Sequence, residues 1–302
     1  MMKTPKLVFV ASLFIAVISI IYISCRKESS TNLIAPPGKQ SVQVFLNDDP
    51  VLNLSKLLID IRYIEVKVDT GQANHDDEYY NNDHEGDSDN DGEHQDQDND
   101  DFGKWDTLSV TPRVYDLLQL KNGKDTLIAN GFVSNGKIYK LRITLGTNNE
   151  VWTDSTHHYP LSICENEKYV YVKIPSQSVE TLPSGQKRIR LDINVGKSVE
   201  LENGVYCFNP EVKSYCDETS GRIEGKVQPA DAKAMVMAFN TTDTAYAIPE
   251  GDDDGEFKIK GMKPGTYSVL YKATLPYKDT LVANVQVQAG KETKLSTVVL
   301  HK

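Results

Sequence analysis

Several things that many proteins of this size carry are scarce or missing here. The 302 residues include four Cys, two Trp and five Met. No long stretch repeats its apolar residues with the helical period, which excludes a helical bundle or a sheet with alternating helices. There is no G-x-S-x-G, no H-E-x-x-H, no phosphate-cradling glycine–lysine loop and no dinucleotide glycine fingerprint. Paired carboxylates of a glycosidase leave no such signature, so they are not excluded by pattern alone. The chain therefore reads as non-enzymatic. A clustered basic face is also missing, which excludes the electrostatic footprint of a nucleic-acid binder.

The formal charge of -10 comes from one place. Residues 75–101 read "HDDEYYNNDHEGDSDNDGEHQDQDNDD", with thirteen of the 43 acids, three His and no Lys or Arg. Outside it, 30 acids face 33 bases, so the body is close to neutral. Like charges without apolar residues cannot bury a core, so a disordered, solvated polyanionic loop is the favoured reading. The alternative is narrower. Asp87, Asp89 and Asp91 alternate ahead of Gly92, and Glu93 and Asp98 follow, which is the oxygen-rich spacing of a calcium loop. His94 stands where such loops carry an apolar anchor, and Asp98 is shorter than the usual bidentate Glu. His75, His84 and His94 lack the fixed spacing of a soft-metal site. No cofactor is required by any other pattern; calcium is the one ion the sequence suggests.

The N-terminus begins "MMKTPKLVFVASLFIAVISIIYISC". Lys3 and Lys6 precede an apolar run broken only by Ser12 and Ser19, the build of an export signal and not of a folded element. Ser24-Cys25 at its end resembles the lipobox of bacterial lipoproteins, although Tyr22 stands where that motif has an aliphatic residue. The resemblance implies cleavage after residue 24, a diacylglycerol on Cys25 and a tether over 25–39. The alternative is an uncleaved membrane anchor. Lys27-Glu28 resembles the charged signal that directs some lipoproteins outward. The expectation is an outer-membrane lipoprotein of a bacterial envelope, exposed at the cell surface and held by its lipid.

In that oxidising compartment Cys164, Cys207 and Cys216 allow one internal disulfide. Cys207 and Cys216 flank "FNPEVKSY", whose Asn-Pro favours a turn, so this pair is preferred over Cys164 with either partner.

From Gln40 onward the pattern is β. In "KLLIDIRYIEVKV", Leu57, Ile59 and Ile61 share one phase, and Ile64, Val66 and Val68 the other. A phase slip within one strand predicts a bulge at Arg62-Tyr63. "KWDTLSV" resumes the alternation after the acidic stretch, which makes that stretch an insertion between two strands. "VYDLLQL" fits a short helix or an irregular crossover. In "GKIYKLRITL", Tyr139, Leu141, Ile143 and Leu145 share a face. "KRIRLDINV" alternates apolar and charged residues, predicting a half-buried antiparallel strand with a solvated charged face. Asn203-Gly204 signals a hairpin. Many short strands with turns between them predict an antiparallel sandwich over residues 40–217. The fold class is all-β, two β-sandwich domains, with the second over 218–302.

In that second segment Phe257 and Ile259 precede a turn at Lys263-Pro264-Gly265, and Tyr267, Val269 and Tyr271 follow, so the two flanking strands are expected to pair directly. Gly225-Lys226-Val227 and the run from Asp254 to Val269, "DGEFKIKGMKPGTYSV", resemble carboxypeptidase-regulatory-like, or transthyretin-like, domains. That resemblance implies a carbohydrate-binding-like sandwich that serves as spacer, stabiliser or ligand-binding module. Residues 40–210 resemble the envelope lipoproteins of domain of unknown function family 4382. The carrying segments are "LNDDP", "LLIDIRYIEVKV", Trp105 to Leu108, "VYDLLQLKNG" and "GKIYKLRITL". This implies a lipid-anchored β domain and no activity.

Candidate chemistry is then confined to binding. Trp105 and Trp152 are the residues for stacking a sugar; the structural alternative is that both fill cores. His157-His158 cannot chelate together from one strand, because neighbours point to opposite faces. Five tripeptides that begin Asp-Thr or Asp-Ser, at residues 106, 125, 154, 243 and 279, resemble O-glycosylation acceptors. The expected partners are the membrane, through the lipid, and a glycan or surface-protein ligand; a structural envelope subunit is the alternative.

Two outcomes follow. Cys25→Ala should abolish labelling by a palmitate analogue, and unchanged labelling would remove the lipid anchor. Calcium calorimetry on the whole chain and on a chain lacking residues 75–101 should give heat only with the first if the loop is the site; equal heats would eliminate it.

Overall fold

The computed structural model describes residues 35–50, 54–71, 103–164, 168–251 and 255–302. Cys25 and the five candidate calcium ligands, Asp87, Asp89, Asp91, Glu93 and Asp98, lie outside them. The structure is mostly β, as the alternation predicts. Strands β1 (Lys39–Asp49), β2 (Lys56–Asp69), β3 (Lys104–Val110), β4 (Arg113–Asp116) and β5 (Thr126–Ser134) come first. They are followed by β6 (Lys137–Leu145), β7 (Glu150–Trp152), β8 (His158–Ile163), β9 (Tyr169–Lys173) and β10 (Val179–Thr181). Next are β11 (Lys187–Asn194), β12 (Val199–Glu202), β13 (Val205–Phe208) and β14 (Val212–Tyr215).

These strands join in a single 14-stranded sheet around one apolar core. Two expectations are corrected here. The sheet is one curled surface and not two stacked ones. It is also mixed and not antiparallel, since β1 runs parallel to β11 and β8 parallel to β13.

β2 is the hub. Its N-terminal half pairs with β4 and β7, and its C-terminal half with β3 and β6. The register with β6 slips between Ile61 and Tyr63, at the phase change that the sequence shows. The slip keeps Leu57, Ile59 and Ile61 on the core side together with Ile64, Val66 and Val68, all 1% exposed or less. Without it, one of the two sets would point to the other face. A second slip, between Lys67 and Val68, puts Ile138 into the core where Tyr139 was expected. β3 begins opposite the end of β2, Lys104 facing Val68, so the acidic stretch does join two paired strands. "VYDLLQL" resolves into β4 and one 3-10 turn at Leu117–Leu120. Asn203 and Gly204, with φ of 51° and 82°, close the β12–β13 hairpin as the left-handed pair such a turn requires.

The preferred disulfide was wrong. Cys164 bonds to Cys207, and Cys216 is a buried free thiol. β13 lies beside β8, with Cys207 opposite Ser162, so Cys164 at the end of β8 is the neighbour. β14 leaves that region to pair with β11 and carries Cys216 away with it, despite its closeness in sequence.

The remaining strands are β15 (Gly221–Gln228), β16 (Met235–Phe239), β17 (Thr244–Ala247) and β18 (Glu256–Met262). After them come β19 (Gly265–Lys272), β20 (Thr280–Val287), β21 (Glu292–Lys294) and β22 (Val298–Val299). They form two four-stranded sheets, β18-β15-β21 with β22, and β17-β16-β19-β20, which share a second core. β18 and β19 do not pair, which corrects the expected hairpin. Both edges of β19 are taken, by β16 and β20, so β18 has no edge to join and enters the other sheet. Phe257 and Tyr271 still meet, edge to face across the core, with ring centroids 5.9 Å apart.

β11 departs most from its sequence reading. Its charged residues are buried, not solvated: Arg190 is 8% exposed and Asp192 4%. β1 covers one edge, and β10 and β14 pair along the other side. Arg190 then reaches Glu180 at 2.6 Å, Asp217 at 3.0 Å and Asp125 at 3.6 Å. Lys260 of β18 meets the same Asp125 and donates to the carbonyl of Gly123. Asp192 is held by Asn47 at 2.8 Å and Lys213 at 3.0 Å, and Asn47 accepts from the Tyr215 hydroxyl. Burial pushes the Tyr215 hydroxyl well above its ordinary pKa, and Asp192 and Asp217 push the same way. This polar seam lies where the curled sheet meets the C-terminal sheets, and residues 35–302 form one compact unit.

The Tyr215 ring rests on Gly261, where a Cβ would stand 3.0 Å from ring atoms and φ is +68°. Both the conformation and the contact require glycine. Gly261→Ala should destabilise the protein by roughly 1–3 kcal/mol in urea unfolding; an unchanged midpoint would show that the seam tolerates a side chain here.

Candidate ligand-binding face

Alternation along β2 sends one set of residues into the core and the other to the outer face of the sheet. On that face the strands β3, β2, β6 and β9 lie side by side, and their register builds rows. Trp105, Lys67, Lys140 and Lys173 form one row. Thr107, Glu65, Arg142 and Tyr171 form the next. Tyr63, Thr144 and Tyr169 continue it.

Arg142 is the centre. Its guanidinium carbon lies 4.4 Å from the Trp105 ring centre and 4.8 Å from that of Tyr169. Its Nη2 and Nε reach one Glu65 oxygen at 2.7 and 2.8 Å. Burial alone would lower the Arg142 pKa, but hydrogen bonds to Tyr171 and Glu65 outweigh it and hold the group above its ordinary value. Trp105 and Tyr171 have ring centroids 6.4 Å apart, and Tyr169 and Tyr171 6.1 Å. Lysines stand by the same rings: Lys67 5.8 Å from Trp105, Lys140 5.0 Å from Tyr171 and Lys168 5.4 Å from Tyr169. Lys67 is itself buried, at 3% exposure; at exposed sites a cation–ring pair is worth about 0.5–1 kcal/mol.

At the far end of β2, Lys56 faces Trp152. Its Nζ is 4.6 Å from that ring, and His158 stacks on the ring at 4.5 Å between centroids and 17° between planes. The Trp152 Nε1 donates to Glu150 at 3.1 Å. The turn that follows is fixed by Asp154, whose carboxylate accepts from the backbone of Thr156 and of His157. These donors hold the Asp154 carboxyl well below the usual carboxylate range. His157 joins Asp154 at 2.7 Å while His158 joins the tryptophan, so the two histidines have separate partners.

Both tryptophans picked from sequence thus lie outside the apolar cores, near opposite ends of one outer face. Sequence reasoning missed Arg142, Tyr169, Tyr171 and the lysines. "YVYVK" held the signal, since Tyr169 and Tyr171 alternate with the core residues Val170 and Val172.

Two other arrangements are weaker. A cavity of about 280 Å³ is lined by Val227, Pro229 and Ile248 with Lys121, Lys233 and Glu250. Among the described residues the one metal-like cluster is Cys164, Glu200 and Cys207, but the two sulfurs are bonded to each other. Metal ligation by Cys needs the thiolate. No helix among the described residues is long and apolar enough to cross a membrane.

The family profile described as Domain of unknown function (DUF4382) matches residues 39–210. The resemblance of the C-terminal sheets to carboxypeptidase-regulatory-like domains stands on the sequence motif alone. No curated protein matches the chain. Among solved structures, the Bacillus anthracis TIE protein aligns over 87% of this chain and 34% of its own, with 11% identity and a TM-score of 0.21. The minor pilin GBS52 of Streptococcus agalactiae aligns over 86% and 95%, with 9% identity and a TM-score of 0.20. A fimbrial protein of Bacteroides ovatus aligns over 87% and 50%, with 8% identity and a TM-score of 0.21. The chain spans about a third of the length of the first of these. Scores at this level do not establish a shared fold.

Proposed function

We propose, for a chain that belongs to the family of domain of unknown function 4382, a non-enzymatic role at the surface of a bacterial envelope. In this reading a lipid on Cys25 tethers the protein to the outer membrane. The outer face of the curled sheet binds a glycan, and the protein acts as an adhesin or glycan receptor. The C-terminal pair of sheets is a carboxypeptidase-regulatory-like sandwich that serves as spacer or auxiliary module.

One observation carries this reading. Aromatic side chains that could have filled the core instead stand on the outer face in register, with Tyr171 48% and Tyr63 60% exposed. A flat ring beside polar and charged groups is the surface on which a pyranose stacks by its apolar C–H face, with hydroxyl groups bonded at the rim. That surface carries the reading, since a β fold does not name its ligand.

A structural envelope subunit is the second reading, favoured by the buried seam around Arg190, which joins the two sheet systems without a hinge-like linker. Glycan arrays separate the two. Wild-type protein should bind a defined set of glycans, and Trp105→Ala or Trp152→Ala should weaken binding by about tenfold, the effect of losing one stacking contact. Silence across the array from well-folded protein would favour the structural role.

A further inference from the structure

We infer that the open edge of β12 is a docking site for an extended segment of a partner protein, one that alternates aliphatic residues with Lys or Arg. This site is separate from the aromatic face and does not depend on a glycan.

β12 ends the path of the larger sheet, and β13 is its one strand partner among the described residues. The two-residue turn at Asn203-Gly204 sets which peptide groups that pairing uses. Glu202 with Val205, and Glu200 with Cys207, are the hydrogen-bonded pairs of such a hairpin. The N–H of Asn209 donates to the Ser198 carbonyl at 2.8 Å, in the same two-residue rhythm. Leu201 therefore turns its own N–H and C=O away from β13, toward the outer edge. It is 59% exposed. An edge of this kind adds a strand through main-chain hydrogen bonds. The Cys164–Cys207 disulfide ties β13 to the end of β8, so the hairpin is held in place before binding and little ordering is left to lose.

The side chains define the occupant. Leu201 stands opposite Tyr206, which stands opposite Leu161 of β8. Tyr159 lies on that same side, 43% exposed, its ring centroid 5.3 Å from that of Tyr206. Together they extend the margin of the core as an apolar step. The other side of β12 carries Glu200 and Glu202. Glu200 accepts from the Asn209 side-chain amide at 3.1 Å, and neither glutamate has a Lys or Arg partner among the described residues. A strand added here puts one residue opposite Leu201 and its two neighbours opposite Glu200 and Glu202. The matching order is basic, aliphatic, basic, because opposite charges facing across a ladder attract and like charges repel.

The same charges disfavour a second copy of this chain. Pairing Leu201 with its counterpart would set Glu200 against Glu202 twice. Pairing Leu201 with Val199 of the other copy would set Glu200 against Glu200. Charged residues on a short edge strand block such self-association and leave the edge to a basic partner.

The test uses the full chain in neutral detergent and fluorescence anisotropy with labelled seven-residue peptides. The first probe alternates Val with Lys or Arg. The second has the same composition with its basic and aliphatic residues in separate blocks. The third replaces the basic residues by Glu, and the fourth is the first with alternate peptide nitrogens methylated on the edge that would face β12. The alternating peptide should bind and weaken as salt screens the exposed glutamates. Each of the other three should bind at least about tenfold more weakly. Leu201→Pro removes the outward N–H without touching the ladder to β13, and should cost a similar factor. Glu200→Gln with Glu202→Gln, which keeps the backbone edge intact, should weaken the basic peptide and abolish most of its salt dependence.

Equal binding of the block or methylated peptide would reduce the site to nonspecific charge attraction and overturn strand addition. No binding of the alternating peptide by folded protein would overturn the inference outright. A concentration-dependent dimer in sedimentation that Leu201→Pro removes would assign the edge to a second copy instead and overturn the basic partner. Trp105→Ala should leave peptide binding unchanged, so failure here and failure of the glycan reading are read separately; loss of peptide binding in that variant would move the site off β12.

Discussion

The constraint on which the larger sheet depends is the register slip in β2. A strand of fourteen residues with four strand partners must keep one face apolar along its whole length. A right-handed twist and a strict two-residue period would make that demanding in a sheet that curls. The extra residue at Arg62-Tyr63 resets the phase, so six aliphatic side chains meet one core. The same slip arranges the opposite face, because Lys56 and Trp152 before it and Glu65 and Lys67 after it then share a side. Core and outer surface are set by one local irregularity.

A second device joins this sheet to the C-terminal pair. Arg190 is surrounded by three carboxylates, Asp192 by an amide and an ammonium, and Tyr215 lies flat on Gly261. Buried ion pairs of this kind add little stability over a well-packed apolar contact, yet losing one partner costs about 3–5 kcal/mol because the others are left uncompensated. The seam therefore fixes orientation more than it adds strength. It also adds to the need for glycine at position 261, which the φ of +68° sets locally and the Tyr215 ring on β14 reinforces.

Much of the strand content was legible because alternation is a short-range signal. The β2 bulge and the Asn203-Gly204 turn follow from residues within a few positions of one another, and the alternation that resumes at Lys104 marks β3 as the strand after the acidic stretch. What failed was pairing between distant segments. Cys207 was matched to its sequence neighbour Cys216, although strand order brings it to Cys164. β18 and β19 looked like a hairpin, but the edges of β19 were already occupied. The charges of β11 read as solvated because nothing near them in sequence reveals Asp217 or Lys260. The candidate face was half legible: the tryptophans stood out by rarity, whereas Tyr169, Tyr171 and Arg142 become a group only when β6 lies beside β9.

The place where the acidic stretch is attached has a consequence of its own. β2 and β3 are in register up to Val68 and Lys104, and the thirteen acids of residues 75–101 fall between these two positions in the sequence. The chain's formal charge of -10 is thus set by a segment with thirteen acids and no Lys or Arg. Solubility and long-range repulsion can be adjusted by single substitutions in this segment, without changing any residue of the two apolar cores. In this protein, colloidal behaviour and architecture are written in separate parts of the sequence.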